Sequence, residues 1–448
     1  MTTLTKTQAH ASDKIYAMFS RNSLLFALFA VVIPNFLFLL AAPFYIASRL
    51  ISPFLFLAAG IAGLFLPGRM TFLLFLIAAV IDLTLMVMMA FHLPFDVAMD
   101  SLKYAASINP TASLLYVCIV LIVTATSALS AYLISRNRTK LREASLVPAL
   151  LLAAGLSGAD LVWTQPYFTK PDVAFDSARV QIGMSAEAII GDRANLLIVM
   201  VEGMGAFADP EEREQLKSVL TESLPEGRYR IEDGQTHYSG STTGAAAREL
   251  CNRWGDYIDY LTGAPTNNCL PNQLALAGYD TIAFHGFGMD MFHRDKWYPD
   301  IGFRKMEFLD QLQIEQPESF VERCGSVFNG LCDADVGKAV HAALKAEPDT
   351  PKFVYWLTLN SHIPYVKTNE DAMACRSAAP KIRNKTVCEL SNLWSVVFEQ
   401  VNRIAADPEL AATDILIVGD HHTPLWERAA KDDFVLGKVD WILLRHNQ

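Results

Sequence analysis

The stretch NLLIVMVEGMG, residues 195–205, contains six consecutive apolar residues that end at Glu202. Six apolar residues are too few to cross a bilayer, which takes about 20. An unbroken run of this length is typical of a strand buried on both faces in a parallel sheet. Gly203 and Gly205 fit a tight turn after the strand. Because ligands in open α/β sheets bind beyond the carboxyl ends of the strands, Glu202 is expected at a binding edge.

Two further apolar runs of the same kind end in side chains that bind metals. Residues 414–422 read DILIVGDHH and contain Asp420 and His421, and residues 353–359 lead into NSHIPY, which contains His362. Carboxylates and imidazoles together are the ligands of divalent metal sites. Each residue alone is as readily a solvated loop side chain, but three such strand ends together favour a metal site.

Charged and apolar residues are unevenly distributed along the 448 residues. Residues 1–165 hold ten Lys and Arg against six Asp and Glu, and the apolar excess of this 52% hydrophobic chain is concentrated there. The remainder holds 27 basic against 41 acidic residues. An acidic soluble part argues against a nucleic-acid partner, which requires a basic surface.

Six of the seven cysteines lie in the C-terminal part of the chain, and only Cys118 lies in the apolar third. An even number of cysteines suggests disulfides and an oxidising compartment. Several pairings of six cysteines are open from sequence alone. We expect the pairing of neighbours in sequence, which is Cys251–Cys269, Cys324–Cys332 and Cys375–Cys388.

Five apolar segments precede the first strand, at about residues 24–47, 51–67, 70–93, 111–134 and 146–163. Each is close to the roughly 17–25 residues that a membrane-crossing helix needs. The first is too long for the apolar part of a cleaved signal peptide, so five uncleaved spans are predicted.

The loops between these segments predict the orientation. The loop at 135–142 contains four basic residues, whereas the loop at 94–110 contains two acidic residues and Lys103. Basic loops stay in the cytoplasm, so everything after the fifth span is expected outside. Asp82 and Asp160 fall within spans three and five, where an acid either serves a function or pairs with a polar neighbour.

This organisation predicts a multi-pass α-helical membrane domain at 1–165, a juxtamembrane linker at 166–194 and an extracytoplasmic domain at 195–448. In the last region short apolar runs alternate with helical stretches such as 209–223 and 390–406. Such alternation is the pattern of an α/β fold, here with a mainly parallel central sheet.

A candidate nucleophile lies between the first strand and the later ones, where residues 238–251 read YSGSTTGAAARELC. Gly, Ser and Thr lead into an Ala-rich helix start, and a helix N-terminus favours an anionic phosphoryl group. Thr242 and Thr243 are both candidates, although a hydroxyl at this position is also an ordinary N-cap.

In this order, Glu202, the Thr242 segment, His362 and the pair Asp420-His421 resemble the lipoteichoic acid synthase and phosphoglycerol transferase branch of the alkaline phosphatase/sulfatase superfamily. Five spans followed by an extracytoplasmic domain fit that branch and also the lipid A phosphoethanolamine transferases. The resemblance covers essentially the whole chain and implies a sulfatase-like catalytic domain.

The resemblance implies that Glu202, Asp420 and His421 bind one divalent metal, with Thr242 as nucleophile and additional ligand. Mn²⁺ is expected, and Mg²⁺ or Zn²⁺ would also suit these ligands. Cys251, nine residues after Thr242, is similar to the cysteine of phosphoglycerol transferases that act on periplasmic glucans.

The same resemblance assigns substrate-phosphate binding to His285, Arg294 and His362. A bidentate guanidinium suits a phosphate, and imidazoles can donate hydrogen bonds or act as a general acid. Phe292 and His293 stand before Arg294 and depart from the family's Trp-Asn-Arg clamp.

The implied reaction moves a phosphoglycerol or phosphoethanolamine head group from a phospholipid donor, through a phospho-threonine, to a glycan or glycolipid of the cell envelope. The six cysteines suggest a bacterial inner membrane with the catalytic domain in the periplasm. The phosphoethanolamine branch resembles Thr-x-x-x-Val-Pro-Cys, which this sequence lacks, so phosphoglycerol is favoured.

Three other functions compete with this reading. A metal-dependent phosphatase or phosphodiesterase differs only in using water as acceptor. A sulfatase is disfavoured because the sequence lacks a C/S-x-P-x-R motif. A non-enzymatic membrane sensor is disfavoured because Glu202, Thr242, Asp420 and His421 are all present.

The predicted topology can be tested with reporter fusions. Alkaline phosphatase fused after residue 170 should be active, because this reporter needs the disulfides that form outside the cytoplasm. The matched fusion after residue 138, in the basic loop, should be inactive. An inactive fusion at 170 together with an active one at 138 would reverse the topology.

Overall fold

The computed structural model describes residues 18–170 and 172–447, and the chain divides into two compact units. The first unit combines the described residues up to Ala90 with Leu114–Thr169. The second combines Phe91–Ser113 with the described residues from Lys170 onward. The segment between spans three and four and most of the predicted linker therefore pack with the C-terminal residues.

Helices build the described part of the first unit. The α-helices are Arg21–Ala27, Phe36–Ala41, Ser52–Gly63, Gly68–Ala90, Leu114–Arg136, Arg138–Leu141 and Val147–Trp163, with a π-helix at Leu28–Val32 and a 3-10 helix at Gln165–Phe168.

Two of these helices, Gly68–Ala90 and Leu114–Arg136, are long and apolar enough to cross a membrane, which is weak evidence for a membrane location. The other predicted spans correspond to the shorter apolar helices Arg21–Val32, Ser52–Gly63 and Val147–Trp163. The five-span membrane domain therefore stays a prediction.

Both acidic residues of the predicted spans have polar partners. Asp82 is buried and pairs with the guanidinium of Arg49. The Asp160 carboxylate accepts hydrogen bonds from Ser48 Oγ at 3.4 Å and from Gln165 Nε2 at 3.1 Å. Carboxylates in an apolar environment need such partners, so pairing with polar neighbours accounts for both residues.

The second unit is an α/β domain built on an eight-stranded sheet, with a separate two-stranded ribbon. Its strands are β1 Asn195–Val201, β2 Gly205–Phe207, β3 Tyr229–His237, β4 Asp280–His285, β5 Lys305–Glu307, β6 Arg323–Cys324, β7 Gly330–Leu331, β8 Lys352–Leu357, β9 Thr413–Gly419 and β10 Phe434–His446. The large sheet has the order β2-β10-β9-β1-β8-β4-β5, with β3 also paired to β10, and β6 and β7 form the ribbon.

The helices of the second unit cover both faces of the sheet. The α-helices are Phe95–Ser101, Ala178–Gln181, Ala186–Asp192, Pro210–Thr221, Thr242–Cys251, Tyr257–Leu261, Leu270–Leu276, Arg294–Asp300, Leu309–Glu315, Asp333–Lys345, Lys385–Ala406 and Arg428–Lys431, and 3-10 turns lie at Leu102–Ala106, Pro110–Ala112 and Met291–His293.

The sheet is mixed, and four of its seven strand pairings are parallel, which agrees with the prediction of a mainly parallel sheet. Strands β9, β1, β8, β4 and β5 are parallel to one another, whereas β10 runs antiparallel to β9, β2 and β3. Residues 420–433 stay at the edge where β9 ends, so β10 starts at that edge. A strand that starts where the previous one ended runs antiparallel to it.

Strand β1 is buried on both faces, as its apolar run predicts. Leu197, Val199 and Val201 join one core, which includes the long helix Lys385–Ala406. The alternate residues of β1 join the opposite core, which includes the helix Thr242–Cys251. Because successive side chains of a strand point to opposite faces, one continuous apolar run serves both layers.

All three predicted disulfides are confirmed: Cys251–Cys269, Cys324–Cys332 and Cys375–Cys388. Cys118 is free and exposed. The pairing agrees with an oxidising compartment for the second unit.

Candidate active site

The carboxyl ends of four neighbouring parallel strands converge at one edge of the sheet. Glu202 follows β1, Asp420 and His421 follow β9, and His362 lies five residues after the end of β8. His285 is the last residue of β4. This edge is where ligands bind in open α/β sheets, so the sheet brings together residues that are up to 219 positions apart in sequence.

Glu202, Asp420 and His421 form the candidate metal centre. Their ligand atoms all lie within 4.8 Å of one another, and all three residues are buried. His421 Nε2 is 3.5 Å from Glu202 Oε1 and 3.3 Å from Asp420 Oδ2. Two carboxylates and one imidazole converge on a single point, as a tightly bound divalent ion requires.

The electrostatics of this cluster fit a bound cation. Burial raises the pKa of Glu202 well above its ordinary value, the neighbouring Asp420 raises it further, and the charge of Arg294 only partly offsets this rise. Two buried carboxylates side by side cannot both stay ionised without compensation. A divalent ion supplies that compensation, so the residues present fit the metal that the superfamily uses.

Backbone and side-chain hydrogen bonds hold Asp420 and Glu202 in place. Asp420 Oδ1 accepts the N–H groups of Gly203 at 2.7 Å and His421 at 2.6 Å, which leaves Oδ2 to face the centre. The Glu202 carbonyl accepts hydrogen bonds from Ser361 Oγ at 2.7 Å and Trp394 Nε1 at 3.1 Å. The ends of β1 and β9 are therefore fixed relative to each other and to the helix Lys385–Ala406.

Two glycines allow the strand ends to approach this closely. Gly203 has φ +64°, a left-handed backbone that strongly favours glycine. A Cβ atom at Gly419 would lie 1.8 Å from the carbonyl oxygen of Met204. Any larger residue at position 419 would push the turn after β1 away from Asp420.

The structure distinguishes the two threonines at the helix start. Thr242 Oγ1 donates to Asp420 Oδ2 at 2.9 Å and lies 3.5 Å from Glu202 Oε2. Thr243 is buried, and its hydroxyl donates to Asp256 Oδ1 at 2.6 Å. Thr242 therefore faces the metal cluster, whereas the Thr243 hydroxyl is committed to Asp256.

The helix start is capped by the preceding serine, as the sequence predicts. Ser241 Oγ accepts the N–H of Gly244 at 3.0 Å and donates to Asp256 Oδ2 at 2.5 Å. Thr242 is the first residue of the helix Thr242–Cys251. Because Ser241 is the N-cap, the Thr242 hydroxyl is available for other contacts. The Ser241 hydroxyl therefore caps the helix, and the adjacent Thr242 hydroxyl stays in the position of the candidate nucleophile.

Three imidazoles are oriented in the same way. The Nδ1 atoms of His421, His285 and His362 each lie 3.0 Å from a backbone carbonyl oxygen, those of His422, Leu357 and Ile363 respectively. A carbonyl can only accept, so each Nδ1 carries the proton and each Nε2 is left as an acceptor. This is the tautomer that a metal ligand needs at His421.

His285 and His362 are neutral in this environment. Burial and the charge of Arg294 lower the pKa of His285 to about 3, and burial and the neighbouring His421 lower the pKa of His362 to about 4. His362 also lowers the pKa of His285, so the two imidazoles are electrostatic neighbours.

Arg294 begins the helix Arg294–Asp300 and is buried, with only 2% of its surface exposed. Its Nη1 donates a long hydrogen bond of 3.4 Å to the carbonyl of Met291, and its Nε has no hydrogen-bond partner among the described residues. A buried guanidinium with unused donors can bind an anion. Its positive charge lowers the pKa values of both Glu202 and His285.

Sequence reasoning missed several residues that hold the site together. Arg248 is fully buried and donates to the carbonyl of Gly419 at 3.1 Å. Thr358 Oγ1 accepts the N–H of Glu202 at 2.9 Å. Asp256 receives the hydroxyls of Ser241 and Thr243. No local pattern marks these residues, because their partners lie far away in sequence or outside any motif.

The comparison with known families agrees with this geometry. Residues 234–425 match the family model described as Sulfatase. This match confirms the resemblance to the alkaline phosphatase/sulfatase superfamily. It includes Thr242, Asp420 and His421, and Glu202 lies before its first residue. No protein of curated function matches the sequence.

The solved structures that are similar to this chain include a lipoteichoic acid synthase and a phosphoglycerol transferase. LtaP, a lipoteichoic acid synthase from Listeria monocytogenes, is 14% identical, with a TM-score of 0.40 over 56% of this chain and 65% of that one. GacH, a phosphoglycerol transferase from Streptococcus pyogenes solved with sn-glycerol-1-phosphate, is 14% identical, with a TM-score of 0.40 over 58% and 71%. This chain thus spans less than two thirds of the Listeria protein.

The periplasmic domain of EptC from Escherichia coli, solved with Zn, is also similar. It is 15% identical, with a TM-score of 0.36 over 57% of this chain and 73% of that one. Likenesses at this level say nothing about the activity of this chain.

Metal binding can be tested by elemental analysis. The purified full-length protein should bind one divalent ion per chain, and Glu202→Gln combined with Asp420→Asn should abolish binding because both carboxylate charges are lost. Glu232→Gln, a change at a partly exposed carboxylate outside the cluster, serves as the matched control. Full metal occupancy in the double variant would rule out this centre.

The neutral state of His285 predicts a specific pH dependence of stability. Its pKa is about 3 when folded and about 6.5 when unfolded. Between these values only the unfolded chain binds the proton, so stability falls as the pH decreases, by at most about 1.4 kcal/mol per pH unit. His285→Asn, whose amide can still donate to Leu357, should remove this contribution.

The measurement is thermal unfolding of chelator-treated protein at pH 7 and pH 5. The midpoint should fall less between the two pH values in His285→Asn than in the wild type. An equal fall in both proteins would show that His285 is not held neutral.

Proposed function

We propose that this protein is a membrane-bound, metal-dependent transferase that moves a phosphoglycerol head group, or alternatively phosphoethanolamine, from a phospholipid to a glycan or glycolipid of the cell envelope. Thr242 is the nucleophile, and Glu202, Asp420, His421 and the Thr242 oxygen hold one divalent ion, with Mn²⁺ the best candidate and Mg²⁺ or Zn²⁺ as alternatives.

One observation carries this proposal, which is the position of the Thr242 hydroxyl. It lies 2.9 Å from Asp420 Oδ2 within a buried cluster of two carboxylates and an imidazole. A threonine hydroxyl is a weak nucleophile at its ordinary pKa. A divalent ion bound here would lower that pKa and stabilise negative charge on the phosphate oxygens.

The transfer proceeds in two displacements. In the first, the Thr242 oxygen loses its proton to solvent and forms a bond to phosphorus, while the bond from phosphorus to the diacylglycerol oxygen breaks. In the second, a hydroxyl oxygen of the acceptor forms the new bond to phosphorus while the bond from phosphorus to Thr242 breaks, and the released Thr242 oxygen takes a proton back from solvent. The phosphorylated threonine keeps the head group until a positioned acceptor arrives.

Arg294, His285 and His362 bind the phosphate in this proposal. Arg294 has buried donors to spare, and an Arg suits a bidentate contact with phosphate oxygens. The two imidazoles are neutral acceptors at Nε2 before substrate binds. An arriving phosphate anion raises an imidazole pKa, so a proton is taken up with the substrate and passed to the departing diacylglycerol oxygen. The acceptor hydroxyl then returns a proton to the imidazole.

The donor, acceptor and compartment rest on the sequence. The resemblance to phosphoglycerol transferases and the apolar N-terminal third favour a lipid donor at a membrane. Three disulfides in the second unit favour an oxidising compartment, for which we propose the periplasmic side of a bacterial inner membrane. The multi-pass domain at 1–165, the linker at 166–194 and the catalytic domain at 195–448 belong to the same proposal.

A metal-dependent phosphatase or phosphodiesterase is the second candidate. It would use the same Thr242 and the same phosphate-binding residues, with water in place of the glycan. A sulfatase remains a weaker alternative because the sequence lacks the C/S-x-P-x-R setting of its nucleophile.

The decisive variants are Thr242→Ala and Thr243→Ala. With radiolabelled phosphatidylglycerol, Thr242→Ala should release no diacylglycerol and should carry no phosphoglycerol on the peptide 229–248, as measured by mass spectrometry. Its metal content should stay at the wild-type level. Thr243→Ala should keep diacylglycerol release and lose about 1–3 kcal/mol of stability, because Asp256 loses a buried partner.

Three other outcomes would change the proposal. Loss of turnover only in Thr243→Ala would make Thr243 the nucleophile. Activity in both single variants and in the double variant would replace the covalent mechanism by direct attack of water. Label released as free glycerol phosphate in the presence of envelope glycans would favour the phosphodiesterase.

A further inference from the structure

The segment Phe91–Ser113 packs within the second unit, although the sequence places it between two apolar helices. It contains the helix Phe95–Ser101 and two 3-10 turns. Asn109 N–H donates to the carbonyl of Val327 at 2.9 Å, which ties the segment to residues beside the site. The catalytic unit thus includes residues that lie 57 to 79 positions before Lys170, where the rest of the unit begins.

The turn that carries Arg294 has an unfavourable backbone. Phe292 has φ +55° and His293 has φ +50°, so two consecutive residues with side chains adopt the left-handed region. Such a backbone is costly for residues with a Cβ atom and persists only where its surroundings hold it. Because Arg294 follows directly, the direction of its guanidinium depends on whatever holds this turn.

Tyr104 of the segment contacts this turn through its hydroxyl and through its ring. Its hydroxyl oxygen accepts the N–H of His293 at 3.1 Å, and its ring lies 5.3 Å from the ring of Phe292. Within the unit, Trp297 Nε1 adds a hydrogen bond to the carbonyl of Phe292 at 3.2 Å. The His293 N–H is shared with the carbonyl of Asp290, to which it donates at 3.0 Å. Tyr104 therefore supports the turn through one shared N–H and through its ring, which also lies 6.1 Å from the ring of His293.

Tyr104 is itself fixed by packing. It is 7% exposed and belongs to a small apolar cluster with Phe287, Met291 and Leu359. The same segment is secured by Asp100, which accepts a hydrogen bond from the Tyr257 hydroxyl at 2.6 Å. The Tyr104 hydroxyl thus contacts the turn from a buried, well-supported position.

The segment also reaches the metal cluster. The ring of Phe91 meets the ring of His421 edge to face, with 5.4 Å between the centroids. One segment therefore contacts both the candidate metal centre and the turn before Arg294. These contacts are more than a surface loop needs for its own stability.

We propose that Tyr104 is a positioning residue, which holds the left-handed turn at Phe292 and His293 so that Arg294 points at the substrate phosphate. The inference rests on the proposed role of Arg294 in phosphate binding. In this proposal the segment Phe91–Ser113 contributes to substrate binding and does more than connect two helices.

The test is a double-mutant cycle in the full-length, Mn²⁺-loaded protein. The variants are Tyr104→Phe, Arg294→Gln and the two combined, with Tyr45→Phe as the matched control at an exposed tyrosine of the first unit. The probe is sn-glycerol 1-phosphate, which has the configuration of the phosphatidylglycerol head group, and its affinity is measured by titration calorimetry. Metal content is measured for every variant, and a full content shows that the metal centre has formed.

Tyr104→Phe should weaken probe binding by about two- to tenfold, the range that corresponds to one hydrogen bond. It should have no further effect in the Arg294→Gln background, because residues that act through one another are not additive. Tyr45→Phe and all metal contents should match the wild type. A purely structural role would lower the thermal midpoint without this dependence on Arg294.

Two results would overturn the inference, and they can be told apart. If Arg294→Gln weakens binding but Tyr104→Phe does not, or if their effects simply add, Tyr104 does not position Arg294 and the proposed function stands. If Arg294→Gln leaves probe binding unchanged, the phosphate role of Arg294 fails as well, and the inference falls with it.

Discussion

Glu202 and Asp420 are two buried carboxylates at the ends of adjacent parallel strands, and the second unit is arranged around them. Burial raises the pKa of Glu202 well above its ordinary value, and repulsion by the neighbouring Asp420 raises it further. The structure nevertheless holds both in place through backbone N–H groups and through Trp394. A divalent cation bound between the two carboxylates would compensate their negative charges and remove this repulsion.

The scaffold keeps this arrangement rigid through contacts far from the reacting atoms. Asp333 follows the Cys324–Cys332 disulfide and accepts the backbone N–H groups of Leu359 and Asn360, so the disulfide and the loop that carries His362 are linked through one buried carboxylate. Burial raises the pKa of Asp333 to about 7. The second disulfide, Cys251–Cys269, ties the far end of the helix that begins at Thr242 to the following segment.

The site depends on residues from an unexpected part of the chain. Phe91 and Tyr104 come from the segment between two apolar helices, yet their rings contact His421 and Phe292. A sulfatase-like sheet can hold the metal ligands by itself, because they follow its strands. The turn before Arg294 has a backbone that its own residues disfavour, so it needs support from elsewhere.

The sequence alone predicted the strand ends, the candidate metal-binding set and, among several open pairings, the three disulfides that the structure contains. Apolar runs such as the one before Glu202 are local, so the strands can be located without knowledge of what packs against them. The antiparallel strand β10, the different partners of the Thr242 and Thr243 hydroxyls, and the contacts of Tyr104 with the turn before Arg294 became visible only in the tertiary structure. Each depends on a partner remote in sequence or in the fold, because a hydroxyl or a ring is directed by the groups packed against it rather than by its neighbours along the chain.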